Sequence, residues 1–229
     1  MPHDLTIAQY LRSRSPISPA RLPIVPAAFV TISREAGAGA HSLADALVAR
    51  LSKEKDPRLA GWHIFDREIT ERVAKDPGLQ VSLKSLLNEE FHEGLEDYFR
   101  SAFSSKGSQL KIDHHIFRTV RSICALGKAI IIGRAGALVT RDLPRGVHVR
   151  LVSEREIRVE RIVSDTGVTS AEARKNLDLK DAQRAHMVKA DFGKDIVEPL
   201  LYDCVWNTAT VSSEEIAETL TGLILRRSD

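Results

Sequence analysis

Ala27-Ala28-Phe29-Val30-Thr31-Ile32-Ser33-Arg34-Glu35-Ala36-Gly37-Ala38-Gly39-Ala40-His41-Ser42 is the stretch that decides the fold. Its first six residues form an apolar, β-rich run and read as a buried strand. Residues 33–41 follow and contain Gly37 and Gly39. From Ser42 onward Leu43, Leu47 and Leu51 recur at four-residue steps, the spacing of one helix face. A loop between a buried strand and a helix start is suited to anions, because free backbone N–H groups and the helix dipole point the same way. Glycine lets the backbone approach a phosphate closely. A full phosphate loop reads G-x-x-x-x-G-K-[ST]. Here Arg34 stands for the first glycine and Ala40 for the lysine. The loop alone therefore reads as a degenerate phosphate cradle or as a plain glycine-rich turn.

Outward from this stretch, Trp62-His63-Ile64-Phe65 is a second strand candidate, ending at Asp66. Residues 67–126 are mostly helical in pattern, with 104–109 (Ser-Ser-Lys-Gly-Ser-Gln) as a loop between helices. Buried strands are expected at 129–132, 147–152 and 204–206. A long polar helical region separates the last two, and Thr169 with Glu172 three residues on is a capping-box signature within it. A helix near 213–226 closes the chain. Short apolar strands alternating with helices imply an α/β fold, a parallel sheet covered on both faces.

The chain has 229 residues and 25.4 kDa, room for one generous domain. With 33 basic and 31 acidic side chains the formal net charge is +2, so no global polyanion-binding signature exists and any basic site is local. Basic residues are not interleaved with aromatics, which argues against a nucleic-acid partner. Cys124 and Cys204 sit in apolar runs and read as reduced, buried thiols rather than a disulfide framework. No run approaches the roughly 18 apolar residues of a membrane span, and the N-terminus lacks the apolar core of a secretory signal. Arg12, Arg14 and Arg21 with nearby serines faintly suggest a transit peptide, but Asp4, Pro16, Pro19, Pro23 and Pro26 speak against one. Residues 1–25 are therefore read as an extension with a short helix at 4–13, and a cytoplasmic location is the default. His114 and His115 are adjacent and would point about 100° apart on a helix, a poor arrangement for shared ligation. His92-Glu93 lacks the second histidine of a zinc helix, so no structural metal is expected.

Several blocks together carry a family resemblance. Thr31-Ile32-Ser33-Arg34-Glu35 with Gly37-Ala38-Gly39 resembles the opening of the cytidylate-kinase-like family, P-loop proteins close to bacterial cytidylate kinases. Phe65-Asp66-Arg67-Glu68-Ile69, Ile131-Ile132-Gly133-Arg134-Ala135-Gly136, Asp181-Ala182-Gln183-Arg184-Ala185 and Tyr202-Asp203-Cys204-Val205-Trp206-Asn207-Thr208 are similar to later blocks of that family, in its order, over about residues 27–225. The resemblance implies a P-loop nucleoside-kinase-like three-layer fold with a parallel sheet, spanning 26–229. It places a helical acceptor-binding insert at about 67–126 and a lid at about 165–195. It implies ATP and Mg2+, with donor phosphates held at Gly37, Ala38, Gly39, Ala40, His41 and Ser42 and the metal also reached by Ser42. Asp66 and Arg134 would face the acceptor nucleotide. Arg174, Lys180 and Arg184 would close over the transferring phosphate, with Arg158 and Arg161 next in line.

Each assignment has a plainer counterpart. Asp66 also suits a helix N-cap, Arg134 could be a surface arginine, and the lid cations lie among Glu172, Asp178, Asp181 and Asp191 as on a solvated face. True cytidylate kinases carry an aspartate where this chain has Ala135, which leaves cytosine recognition open. For the missing lysine, Arg34 is the expected surrogate, since its charge persists at any relevant pH, with His41 the weaker alternative. The leading expectation is phosphoryl transfer from ATP to a nucleoside monophosphate. The alternatives are a catalytically weak or inactive nucleotide-binding regulatory module, and a kinase for a non-nucleotide small molecule.

Overall fold

The structure, a computed structural model, describes residues 2–14, 27–87, 89–103 and 110–228. The loop expected at 104–109 and most of the stretch leading from the extension into the first strand lie outside the described residues. In chain order the elements are α1 (Pro2–Arg14), β1 (Phe29–Arg34), α2 (Ala40–Leu51), β2 (His63–Phe65), α3 (Arg67–Lys75), α4 (Pro77–Ser85), α5 (Glu89–Phe103) and α6 (Leu110–Leu126). They continue as β3 (Ala129–Ile132), α7 (Gly136–Val139), β4 (Gly146–Val152), α8 (Arg155–Thr166), α9 (Ser170–Phe192), β5 (Cys204–Asn207) and α10 (Ser213–Arg227).

The five strands among the described residues are all parallel, in the order β2-β3-β1-β4-β5. β1 is central: Ile32 stands beside Ile132 of β3 and Val149 of β4. Val30 and Ile32 of β1, Ile130, Ile131 and Ile132 of β3, and Val147 and Val149 of β4 are buried on both faces, as a covered parallel sheet requires. β5 is one of the two edges of the sheet, β2 being the other. It pairs only with β4, its residues alternate between half-buried and exposed, and Val205 is 44% exposed. It is an edge strand rather than the fully buried one its apolar residues suggest. Accordingly Cys124 is buried in the interior while Cys204, on β5, is only partly covered.

Leucines on α2 and Ile216, Leu220 and Ile224 on α10 pack against Val30, Ile32 and Val149 on one sheet face. Fully burying each such side chain contributes about 1.5–3 kcal/mol. On the other face Phe117, Val120 and Ile123 of α6 meet Phe29, Phe65 and Ile131. α1 belongs to this second core through Ile7 and Tyr10. The Tyr10 hydroxyl donates to Ile123 O and Gly127 O, each at 3.0 Å, and its ring meets His63 and Phe65 edge-on. The segment that reads as an extension thus contributes a packed helix. α8 and α9 form a hairpin: Gly167 ends α8 at φ +70°, and the Thr169–Glu172 capping box starts α9. Its underside is a small core of Val159, Ala173 and Leu177 that also takes in Ala36 of the glycine loop.

Candidate phosphate loop and arginine pocket

A parallel sheet brings every strand's carboxyl end to one edge, where open α/β folds place their ligands. Here that edge carries Arg34, Asp66, Gly133 and the loop after β1. The loop is a tight turn. Glu35 N–H donates to Leu151 O at 3.1 Å, Ala38 N–H to Glu35 O at 3.2 Å, and Gly37 and Gly39 take φ of +75° and +79°. Gly39 is the N-cap of α2 and supplies no side-chain cap. The N–H groups of Gly37, Gly39, Ala40, His41 and Ser42 donate to nothing among the described residues. They coincide with the donors expected from sequence except at Ala38, whose N–H closes the turn on Glu35 and is not offered outward. His41 and Ser42 are exposed at the mouth, whereas Ala40 is only 6% exposed and packs into the core.

The loop is braced from behind. Ala36 N–H donates to Asp181 Oδ1 at 2.7 Å. Arg158, 8% exposed, donates to Ala36 O at 3.2 Å, to Asp181 Oδ2 at 2.6 Å and to Ser153 O at 3.0 Å, and lies 3.5 Å from Glu35. Arg161 binds Thr208 through its Oγ1 at 2.9 Å and its carbonyl at 2.5 Å. Thr208 Oγ1 in turn donates to Ala38 O at 3.2 Å. A Cβ at Gly39 would stand 4.0 Å from Arg161 Nη1, so this guanidinium lies beside the loop.

Next to the loop is a pocket lined by Thr31, Ser33, Arg34, Gly133, Arg134, Leu138, Arg184 and Tyr202, with Met187, Val188 and Ile196 as its apolar wall. Gly133, Arg134 and Ala135 all take left-handed φ, +81°, +56° and +50°. Such backbone costs of order 1–3 kcal/mol per non-glycine residue and is found at functional sites. The turn brings Arg134 into the pocket, paired with Glu71. Although burial opposes it, Arg67 and Arg134 hold the Glu71 carboxyl below the usual carboxylate range. Arg34 lays its guanidinium across Gly133, where a Cβ would meet Nη1 at 2.0 Å. It has no hydrogen-bond or ion-pair partner among the described residues. Burial, then the like charges of Arg184 and Arg134, push its pKa down to about 10 against the pull of Asp66 and Asp181. Arg184 donates to Asp181 Oδ1 at 3.1 Å, and burial lowers its pKa too. Behind this wall Arg150, 4% exposed, donates to Ser33 Oγ at 3.3 Å.

The remaining sequence candidates are dispersed. Asp66 caps α3 by accepting Ile69 N–H at 2.9 Å, and its Oδ2 stands 3.8 Å from His41 Nε2, so the capping role and a place at the mouth coexist. Arg174 is engaged with Glu156 across the α8–α9 hairpin and does not line the pocket. Lys180 is exposed. Among the described residues no cluster of three His, Cys, Asp or Glu could hold a metal ion by protein ligands alone. Ser42 Oγ, exposed beside the free N–H groups, suits a metal that keeps most of its ligands on water and phosphate. Ser33, Tyr202 and Asp181 lie in the blocks that carry the family resemblance but have no role assigned there, and Glu71 lies outside those blocks. For Asp181 the i, i+3 spacing to Arg184 is a further signal in the sequence.

A model of the cytidylate kinase-like family matches residues 29–210, most of the chain. The chain belongs to the cytidylate kinase-like family. Family membership and the strand order agree on a P-loop kinase-like α/β fold. An uncharacterized protein from Eubacterium ventriosum superposes with a TM-score of 0.66 over 87% of this chain and 98% of its own, at 16% identity, a likeness of fold alone. Shikimate kinase from Bacteroides thetaiotaomicron gives a TM-score of 0.46 at 11% identity, over 86% of this chain and 98% of that one, too distant to carry a conclusion. A stretch of 98 residues is 29% identical to the uronate isomerase of Corynebacterium glutamicum. It spans 43% of this chain and 19% of that enzyme, so the chain accounts for about a fifth of that relative's length. No helix among the described residues is long and apolar enough to cross a membrane.

Proposed function

We propose that this protein binds ATP with Mg2+ at residues 37–42 and passes its terminal phosphoryl group to a nucleoside monophosphate held in the adjacent arginine pocket. The observation that carries this reading is the meeting of two features at the carboxyl end of β1: backbone N–H groups that donate to nothing, and an Arg34 guanidinium without a hydrogen-bond partner, among the described residues. Phosphoryl transfer is chiefly positioning and charge stabilisation. The free N–H groups of Gly37, Gly39, Ala40, His41 and Ser42 hold the donor phosphates, Ser42 Oγ contributes to the metal, and Arg34 supplies at the loop-pocket junction the charge that Ala40 lacks. When bound, the metal neutralises phosphate charge. Arg134 and Arg184 orient the acceptor's anionic group, and the apolar wall of Met187, Val188 and Ile196 keeps water from it.

The second reading, a nucleotide-binding module that turns over poorly, is favoured by the absence of a lysine at position 40 and by Arg174 being engaged outside the pocket. Calorimetry of ADP, ATP and nucleoside monophosphates with and without Mg2+, alongside a phosphoryl-transfer assay, separates the two. Under the first reading Arg34→Ala lowers turnover by roughly 10²–10³. Arg134→Ala weakens the acceptor while sparing the donor. Failure of every nucleotide to bind at millimolar concentration would refute both readings.

A further inference from the structure

Asp181 accepts hydrogen bonds from three different parts of the molecule: Ala36 N–H in the loop at 2.7 Å, Arg158 Nη1 on α8 at 2.6 Å, and Arg184 Nη1 on its own helix at 3.1 Å. Beside this polar contact lies an apolar one, in which Ala36 joins Val159, Ala173 and Leu177. Gly37 is pressed so closely on α8 that a Cβ would stand 2.6 Å from the Arg158 carbonyl oxygen. The loop and the hairpin are therefore one packed unit, and the hairpin cannot lift without releasing Ala36.

We propose that Asp181 is a positioning residue that ties docking of the α8–α9 hairpin to the shape of the loop, so that the N–H groups of residues 37–42 converge on a phosphate only while the hairpin is docked. This rests on the reading of the loop as a phosphate site. The sign of its effect sets it apart from simple electrostatics. A carboxylate beside an anion site repels the anion, so removing its charge should tighten phosphate binding if charge were all that mattered. A positioning role gives the opposite sign, because the loss of a charge-assisted brace releases the loop.

The test measures binding of inorganic tripolyphosphate and of ADP by calorimetry, and amide hydrogen exchange at residues 36–42 and 155–192, in the wild type, Asp181→Asn, Asp181→Ala and Leu177→Ala. Asparagine keeps an acceptor for Ala36 N–H and loses the charge that holds the two arginines. Leu177→Ala loosens the apolar half of the same contact without altering any charge, and it carries the test if the Asp181 variants fail to fold. The expected result is weaker binding, about tenfold for Asp181→Ala, less for Asp181→Asn, with faster exchange in both segments and the same direction for Leu177→Ala. Unchanged or tighter binding with unchanged loop exchange overturns the proposal. If the wild type binds neither probe, the phosphate-site reading fails, and the exchange data alone decide the coupling: faster loop exchange in the variants supports it and unchanged exchange ends it.

Discussion

Gly37 and Gly39 share a left-handed backbone, φ +75° and +79°, but not the same surroundings. Replacing either by alanine places a Cβ in a conformation that costs an L-residue roughly 1–2 kcal/mol. At Gly39 that is the whole cost, because the new carbon lies 4.0 Å from the nearest neighbour, the flexible end of Arg161. At Gly37 the new carbon also meets the Arg158 carbonyl oxygen at 2.6 Å and Arg158 Cβ at 3.1 Å, backbone and near-backbone atoms that cannot swing aside. Overpacking of this kind adds about 1–3 kcal/mol. Gly37→Ala should therefore destabilise by about 2–5 kcal/mol, exceeding Gly39→Ala by about 1–3 kcal/mol. Urea denaturation of the two variants beside the wild type measures the difference directly. Because the clash is with α8, exchange in the hairpin should rise in Gly37→Ala and stay flat in Gly39→Ala. Equal losses for the two variants would show that the hairpin does not bear on the loop and would refute the packing argument.

His148 is buried, bonded through Nδ1 to Thr31 Oγ1 at 2.8 Å, and burial, aided by Arg141 and Arg227 against Asp203, pushes its pKa down to about 4. The unfolded chain then takes up a proton that the folded one refuses between pH 6.5 and about 4. Stability should fall on acidification through that window, by at most about 1.4 kcal/mol per pH unit, and His148→Gln should remove this component from a pH series of denaturation curves. Tyr10→Phe strips one hydroxyl from two buried carbonyls, Ile123 O and Gly127 O, and should cost about 1–3 kcal/mol, read as a lowered urea midpoint with unchanged slope.

What the sequence made legible was whatever depends on local pattern. The strand at 129–132 lies where its four apolar residues place it, the Thr169–Glu172 box starts its helix, and the closing helix begins at Ser213. Each is set by propensity, capping or periodicity within a few residues. Less legible was anything decided by where chain-distant groups meet. The arginines near the loop look alike in sequence, yet among the described residues the Arg34 guanidinium has no hydrogen-bond partner, Arg158 is locked beneath Ala36 and Arg174 is engaged with Glu156. Those fates depend on which carboxylate the fold delivers, and no spacing rule encodes that. Val205 shows the same limit, because an apolar run does not reveal whether its strand has one neighbour or two.

The docking of α1 carries a consequence for the order of assembly. Tyr10 closes hydrogen bonds with residues 113 and 117 positions further along the chain. At synthesis rates of roughly 5–20 residues per second, its acceptors appear about 6–23 s after it does. For that interval the niche of Ile7 and Tyr10 lacks its α6 wall, although the β2 residues against which Tyr10 rests are made well before α6 arrives to complete it. A segment produced early is thus held in reserve and seated late, and nascent chains halted before Gly127 should show α1 open to protease while chains extended past β3 protect it.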